Sequence, residues 1–232
     1  CLVEDYVYDD LNTTSNQFIY CGINNLFGEI TWFYPTADSN VNTRSVTYSY
    51  LDSTAKRPIW FTNDSTLFTR TTWQDSAVFG LPHATQYDAG TDVSFDVEGN
   101  TDGITYYYEH ETGVNQIRLG ATTAIPADIT SGDYDITQKV VKGAATNMAD
   151  LRGDGENIMR VSRIIPDFIS QQNNVFAQLE VRDYPNDTAA SSPLGPFTLT
   201  PTTKKIDTRA RGRAIALTIS NTAVDTSWKL GT

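Results

Sequence analysis

The feature that most constrains this chain is its punctuation. Short runs of strand-forming residues recur along it, and each is closed by a cluster of turn residues. Gln17–Cys21, Glu29–Tyr34, Arg44–Tyr50, Ile59–Phe61, Leu67–Trp73, Val93–Val97 and Ile104–Tyr108 read as strands. Between them lie Asp38-Ser39-Asn40, Asn63-Asp64-Ser65, Asp88-Ala89-Gly90 and Asn100-Thr101-Asp102-Gly103, residue types that accept tight turns. Arg44–Tyr50 alternates small or polar residues with larger ones, the period of a half-buried strand. Twelve Tyr, ten Phe and four Trp beside many Thr, Val and Ile favour pleated surfaces over helices. The pattern predicts an all-β chain of meandering antiparallel sheets.

Two parts differ in texture. Residues 1–130 read as successive small, aromatic-rich sheets of propeller-like type. Glu29–Tyr34 and Ile104–Tyr108 share the segments ITWFY and ITYYY, which a blade-by-blade repeat would produce. After Gly132–Ile136 the runs become more aliphatic: Ile158–Ile165, Val175–Arg182, Phe197–Thr200 and Ala214–Ile219. Corners at Pro166-Asp167, Tyr184–Asp187 and Ser192–Pro196 separate them, which predicts a sandwich-type domain over 131–232. The boundary is expected near 130.

Charge is placed unevenly within the net of −11. From position 137 onward twelve Lys/Arg stand against nine Asp/Glu, and before it five stand against nineteen. An acidic first part is ill suited to gripping nucleic acid, which needs cations to displace counterions. It suits a surface that DNA slides past without sticking. No run of eighteen apolar residues occurs, so no membrane-spanning helix is expected, and no basic-then-apolar leader is visible. The chain opens on Cys1 rather than Met and stops just after a strand-like Trp228-Lys229-Leu230, so it reads as a fragment. Cys1 and Cys21 are read as free thiols, with Cys21 packed in a strand.

Catalytic constellations are sparse. Only His83 and His110 are present, and both are assigned structural roles. His110-Glu111-Thr112-Gly113 begins like a zinc-protease helix motif but lacks its second His, and Gly113 opposes a helix. Glu109 with Glu111, and Asp133 with Asp135, are paired at alternate positions that would share a face of a strand, as glycosidase acids can. Acids at strand ends more often serve turns and solvation, and no helper group accompanies these, so they are read as non-catalytic. Asp150–Glu156 has the Asp and Gly density of a calcium loop, but Arg152 occupies a position that calls for an oxygen ligand, so it reads as a polar turn. The Asn-x-Ser/Thr triplets at Asn12, Asn63 and Asn186 carry no weight without secretion. No metal, cofactor or catalytic residue is expected.

The one concentrated basic feature is Arg209, Arg211 and Arg213. On an extended segment these side chains fall on one face, with Thr208, Ala210 and Gly212 on the other. Gly212 would let another backbone approach closely. A row of guanidinium groups can pair with carboxylates on a neighbour or touch phosphates. It can also simply protect a solvated edge strand with charge.

Taken in order, several segments resemble the tail-nozzle proteins of short-tailed phages, also called tail tubular or tail hub proteins. They are Gly28–Pro35, Val46–Tyr50, Thr69–Asp75, Tyr108–Gly113, Ser131–Ile136, Arg163–Phe168, Tyr184-Pro185, Gly195–Thr198, Lys205–Arg213 and Trp228–Gly231. The Arg70 segment carries Thr-Thr where Thr-Ala is expected, and residues 1–16 and 141–157 match nothing in the family pattern. The resemblance implies a structural, non-enzymatic virion protein. In that family six subunits form a ring below the portal and adaptor, each contributing a β-propeller. The ring holds fibres or spikes outside and encloses the channel through which DNA leaves without specific binding. Arg209, Arg211 and Arg213 are expected to serve subunit or neighbour contacts rather than nucleic acid, because the chain is acidic overall and no aromatic is interleaved with them to stack bases. A different reading is a carbohydrate-binding or carbohydrate-cleaving β-propeller or adhesin, because exposed Trp and Tyr with paired acids also suit sugars.

Overall fold

The computed structural model describes residues 2–55, 57–64, 69–88, 104–118, 120–134, 157–184 and 193–231. They are mostly strand, so the chain is all-β. It divides into two compact units, Cys1–Thr112 and Gly113–Thr232. No described helix is long and apolar enough to cross a membrane.

The first unit opens with a short helix, α1 (Leu2–Tyr8), and a 3-10 turn over Thr13–Phe18. Asn12 caps that turn: its Oδ1 accepts the N–H groups of Thr14 at 3.0 Å and Ser15 at 3.2 Å. The sequence read Gln17–Cys21 as one strand, but the capped turn takes Gln17 and Phe18, so the strand starts later. A four-stranded antiparallel sheet follows, built in chain order from β1 (Tyr20–Asn24), β2 (Glu29–Tyr34), β3 (Arg44–Thr54) and β4 (Arg57–Asn63). A second sheet joins β5 (Thr72–Gln74), β6 (His83–Asp88) and β7 (Ile104–Glu109), also in order.

Register explains which side of the first sheet is which. Ile23, Ile30, Tyr48 and Trp60 face one another in a row across all four strands, with Trp32 and Val46 in the next row. Trp60 lies 6.0 Å from Trp32 and 4.8 Å from Tyr48 between ring centroids, so this face carries an aromatic cluster. The opposite face presents Gly22, Asn24, Phe33, Ser45 and Ser49, all buried. Trp73 of β5 lies against it, because Gly22 has no side chain there: an added Cβ would fall 2.5 Å from Trp73 Cγ. The Trp73 indole N–H donates to the Ile23 carbonyl at 2.8 Å, and its ring stacks on Phe33 at 6.1 Å. One tryptophan thus ties the two sheets together.

ITWFY becomes β2, an interior strand, whereas ITYYY lies in β7, which among the described strands pairs only with β6. The two similar segments hold different places, and no described sheet is closed. The expected strand Val93–Val97 lies outside the described residues. Of Leu67–Trp73, only Thr72 and Trp73 join a described strand.

The second unit contains the hairpin of β8 (Asn115–Arg118) and β9 (Ala121–Ala124), then β10 (Ala127–Thr130), β11 (Met159–Ile164), β12 (Phe168–Gln172) and β13 (Val175–Arg182). It ends with β14 (Leu194–Leu199), β15 (Ile206–Gly212), β16 (Ala214–Asn221) and β17 (Ser227–Leu230). β10, β16, β13 and β14 form a sheet in that spatial order, while β11–β15 and β12–β17 form two-stranded ribbons. β13 alternates strictly, burying Val175, Ala177, Leu179 and Val181. Ile164, Ala210 and Ile215 pack with Leu179 and Val181, while Leu199 and Ile219 pack with Val175 and Ala177. The ribbons supply Ile206, Phe168, Trp228 and Leu230 to the same core, so sheet and ribbons make two layers. Each fully buried Val, Leu or Ile there contributes about 1.5–3 kcal/mol.

The units divide between Thr112 and Gly113 rather than near 130. The physical reason is pairing: β10 lies against β16 from Ala127↔Asn221 to Thr130↔Thr218, which commits residues before 130 to the second unit.

Candidate functional site

The basic segment lies on the β11–β15 ribbon. Arg209 and Arg211 are exposed on one face of β15, with buried Ala210 and Gly212 on the other. Gly212 is needed: an added Cβ would meet Val181 Cγ1 at 2.5 Å and the Arg182 carbonyl oxygen at 2.8 Å. Arg213 does not continue the row, because β15 ends at Gly212. Its backbone N–H donates to the Arg182 carbonyl at 2.9 Å as the chain turns into β16, and its side chain is half-buried.

The partner strand supplies what the sequence could not show. Register places Arg160 directly opposite Arg211 and Arg163 opposite Asp207. Arg163 Nε donates to Asp207 Oδ1 at 3.0 Å, and Lys205 Nζ reaches Oδ2 at 3.2 Å. Those hydrogen bonds, from Arg163 first and Lys205 second, hold the Asp207 carboxyl below its ordinary range. Among the described residues, the ribbon's outer face therefore carries Arg160, Arg163, Lys205, Arg209 and Arg211 around one carboxylate. Among the described residues, Arg160, Arg209 and Arg211 meet no carboxylate.

Glu109 and Glu111 do not form the expected same-face pair. Glu109 is exposed at the end of β7, opposite His83. Glu111 lies beyond the strand in left-handed conformation (φ 61°), so the two do not share a strand face. Its carboxylate accepts a hydrogen bond from Asn24 Nδ2 at 2.9 Å, while burial raises its pKa. Glu29 is also raised, by burial first, then by the charges of Glu111 and Asp52. Asp133 pairs with Arg182, and Asp135 lies outside the described residues, as do Asp150–Glu156. Among the described residues no group of three His, Cys, Asp or Glu is placed to hold a metal ion.

A polar centre that the sequence did not nominate surrounds Arg70, which is 4% exposed. Its Nε donates to His110 Nε2 at 3.0 Å, and its Nη1 donates to Thr69 O at 2.7 Å and Gln86 Oε1 at 3.1 Å. The guanidinium stands 4.3 Å from the Tyr108 ring centroid, a cation–π contact. Burial lowers the Arg70 pKa to about 10. His110 is pushed down to about 3, by burial first and then by the charges of Arg70 and His83. Because Nε2 accepts from Arg70, the proton of the neutral imidazole sits on Nδ1. The ring packs on Trp73 at 4.4 Å. His83 stacks on Tyr107 at 5.3 Å, and the tyrosine hydroxyl meets its Nδ1. In these contacts both histidines hold structure together. The only advance signal was an Arg in an aromatic-rich stretch just before Trp73.

Cys21 lies on β1 as a free thiol, as expected, but it is exposed rather than packed; Cys1 lies outside the described residues. Asn12 serves as a cap, Asn63 sits in β4, and Asn186 lies outside the described residues. Compared with known proteins, the chain matches no protein-family model and no curated protein.

Proposed function

We propose that this chain is a structural segment of a phage tail, of the tail-nozzle type. It works by assembling into a ring with copies of itself and with neighbouring tail proteins rather than by catalysis. The observation that carries the reading is where the segments behind the resemblance fall. Glu29–Tyr34 is β2, Val46–Tyr50 lies in β3, Gly195–Thr198 in β14, and Trp228–Leu230 in β17. These residues are committed to strands, corners and core. The conspicuous charges, Arg209 and Arg211, point outward from a strand whose other face is buried. Such a distribution fits a part made to be held and to hold. On this reading the first unit contributes sheets of a larger propeller, and the second is a sandwich-type domain. Adaptor, portal and fibre or spike proteins are the neighbours, and DNA passes by acidic surfaces without being bound.

A second reading rests on the aromatic face of β2, β3 and β4. Trp32, Tyr48 and Trp60 are half-buried there, and such rings can stack on sugars. The two readings separate in one experiment on the full-length protein. Native mass spectrometry with and without its adaptor should give a closed oligomer. A monomer that binds or cleaves bacterial surface polysaccharide, and loses this on Trp60→Ala, would favour the sugar reading.

A further inference from the structure

The outer face of the β11–β15 ribbon contains a pairing that isolated proteins avoid. Arg160 and Arg211 are direct cross-strand partners, and like charges so placed destabilise a ladder. Arg209 extends the row two residues along the same face. Among the described residues the face's one carboxylate, Asp207, is already taken by Arg163 and Lys205. Arginine in such a row offers bidentate hydrogen bonds to flat anions, so the arrangement becomes favourable once carboxylates arrive.

The same chain holds a complementary surface. Its first unit contains sixteen Asp/Glu against four Lys/Arg, a net of −12, whereas the second has twelve against thirteen, a net of +1. Within the first unit, Asp5, Asp9 and Asp38 are exposed and form no ion pair among the described residues. Asp9 and Asp38 lie next to a contact in which the Ala37 N–H donates to the Asp10 carbonyl at 2.8 Å. Asp10 itself is occupied by Arg44 at 2.7 Å.

We propose that the Arg160/Arg209/Arg211 face of one copy docks on the Asp5/Asp9/Asp38 corner of a second copy, a head-to-tail contact between two different surfaces. This rests on the assembly reading above and names the contact it would use. A head-to-tail contact repeats around a ring when the rotation closes, and it leaves neither surface unpaired. The chain's overall negative charge opposes docking of a long polyanion on the same arginines, and no aromatic alternates with them to stack bases.

The test uses sedimentation velocity on the whole protein in about 0.1 M salt, where the Debye length is about 10 Å. Wild type should self-associate, and R209E/R211E should weaken that association by roughly tenfold or more, as expected for desolvated charge pairs. R209Q/R211Q, a milder change at the same exposed positions, should weaken it less and should melt like wild type. D9K/D38K should fail to associate alone, and mixing it with R209E/R211E should restore complexes, because glutamates then meet lysines. If wild type and R209E/R211E associate equally, the ribbon contact is wrong while the assembly reading stands. If wild type stays monomeric with its adaptor present, the assembly reading falls as well. Binding of a short DNA duplex that R209E/R211E loses, with self-association unchanged, also overturns the proposal.

Discussion

The half-buried His110 makes the first unit sensitive to acid in a calculable way. Its ordinary pKa of 6.5 falls to about 3 in the fold, with burial the leading cause and Arg70 the next. Below pH 6.5 the unfolded chain therefore binds a proton that the folded chain refuses until about pH 3. Stability from this group is complete above pH 6.5, declines as pH falls, and levels off below about 3. With ~1.36 kcal/mol per pKa unit, the loss reaches about 2 kcal/mol at pH 5 and about 4–5 kcal/mol at the acid limit. His110→Gln isolates the effect, since its amide oxygen can still accept from Arg70 Nε but does not titrate. Urea unfolding followed by tryptophan fluorescence at pH 8, 6.5 and 5 reads it, with Trp73 in contact with the ring. Glu29 and Glu111 have raised values and act with the opposite sign, but they are present in both proteins and cancel in the difference. Wild type should lose about 2 kcal/mol relative to H110Q between pH 8 and pH 5. A difference that stays flat across that range would refute the neutral imidazole held against Arg70.

Two glycines give further tests. Gly22→Ala should destabilise the first unit by about 1–3 kcal/mol, because its Cβ would strike the Trp73 ring, whereas Gly113→Ala has nothing within 4 Å and should be near neutral. Thermal melts of both variants decide this, and equal melting temperatures would contradict the Trp73 packing. Gly212→Ala should destabilise the second unit by at least as much, since the Arg182 carbonyl oxygen at 2.8 Å is backbone and cannot turn aside. Hydrogen exchange along Val175–Arg182 should rise in that variant, and unchanged protection there would contradict the close approach.

Much of the fold was legible because strands announce themselves by period and by their turns. Val175–Arg182 was read with the bounds it has, since its alternation is strict and its ends are sharp. Glu29–Tyr34 was read equally well for its aromatic run and closing Pro35. The start of β1 was misread because Asn12 captures the preceding residues in a capped turn, a local hydrogen-bond choice that hydrophobic pattern does not reveal. The boundary was misplaced because β10 owes its membership to a partner strand about ninety residues later, and pairing of that range leaves no local mark. The site was half legible. Alternation put Arg209 and Arg211 on one face, but the opposition of Arg160 to Arg211 depends on inter-strand register, and the end of β15 removed Arg213 from the row. Arg70 stayed hidden because a charged residue reads as exposed until its partners His110, Gln86 and Thr69 are seen around it.

The measurement that tests the proposed structural role most directly is peptide mapping by mass spectrometry of purified phage tails whose genome encodes this sequence. Peptides from both units, Cys1–Thr112 and Gly113–Thr232, should be found in the tail in several copies per particle, with cross-links between copies. Tails that lack these peptides, with the protein recovered instead as a free monomer acting on polysaccharide, would contradict it.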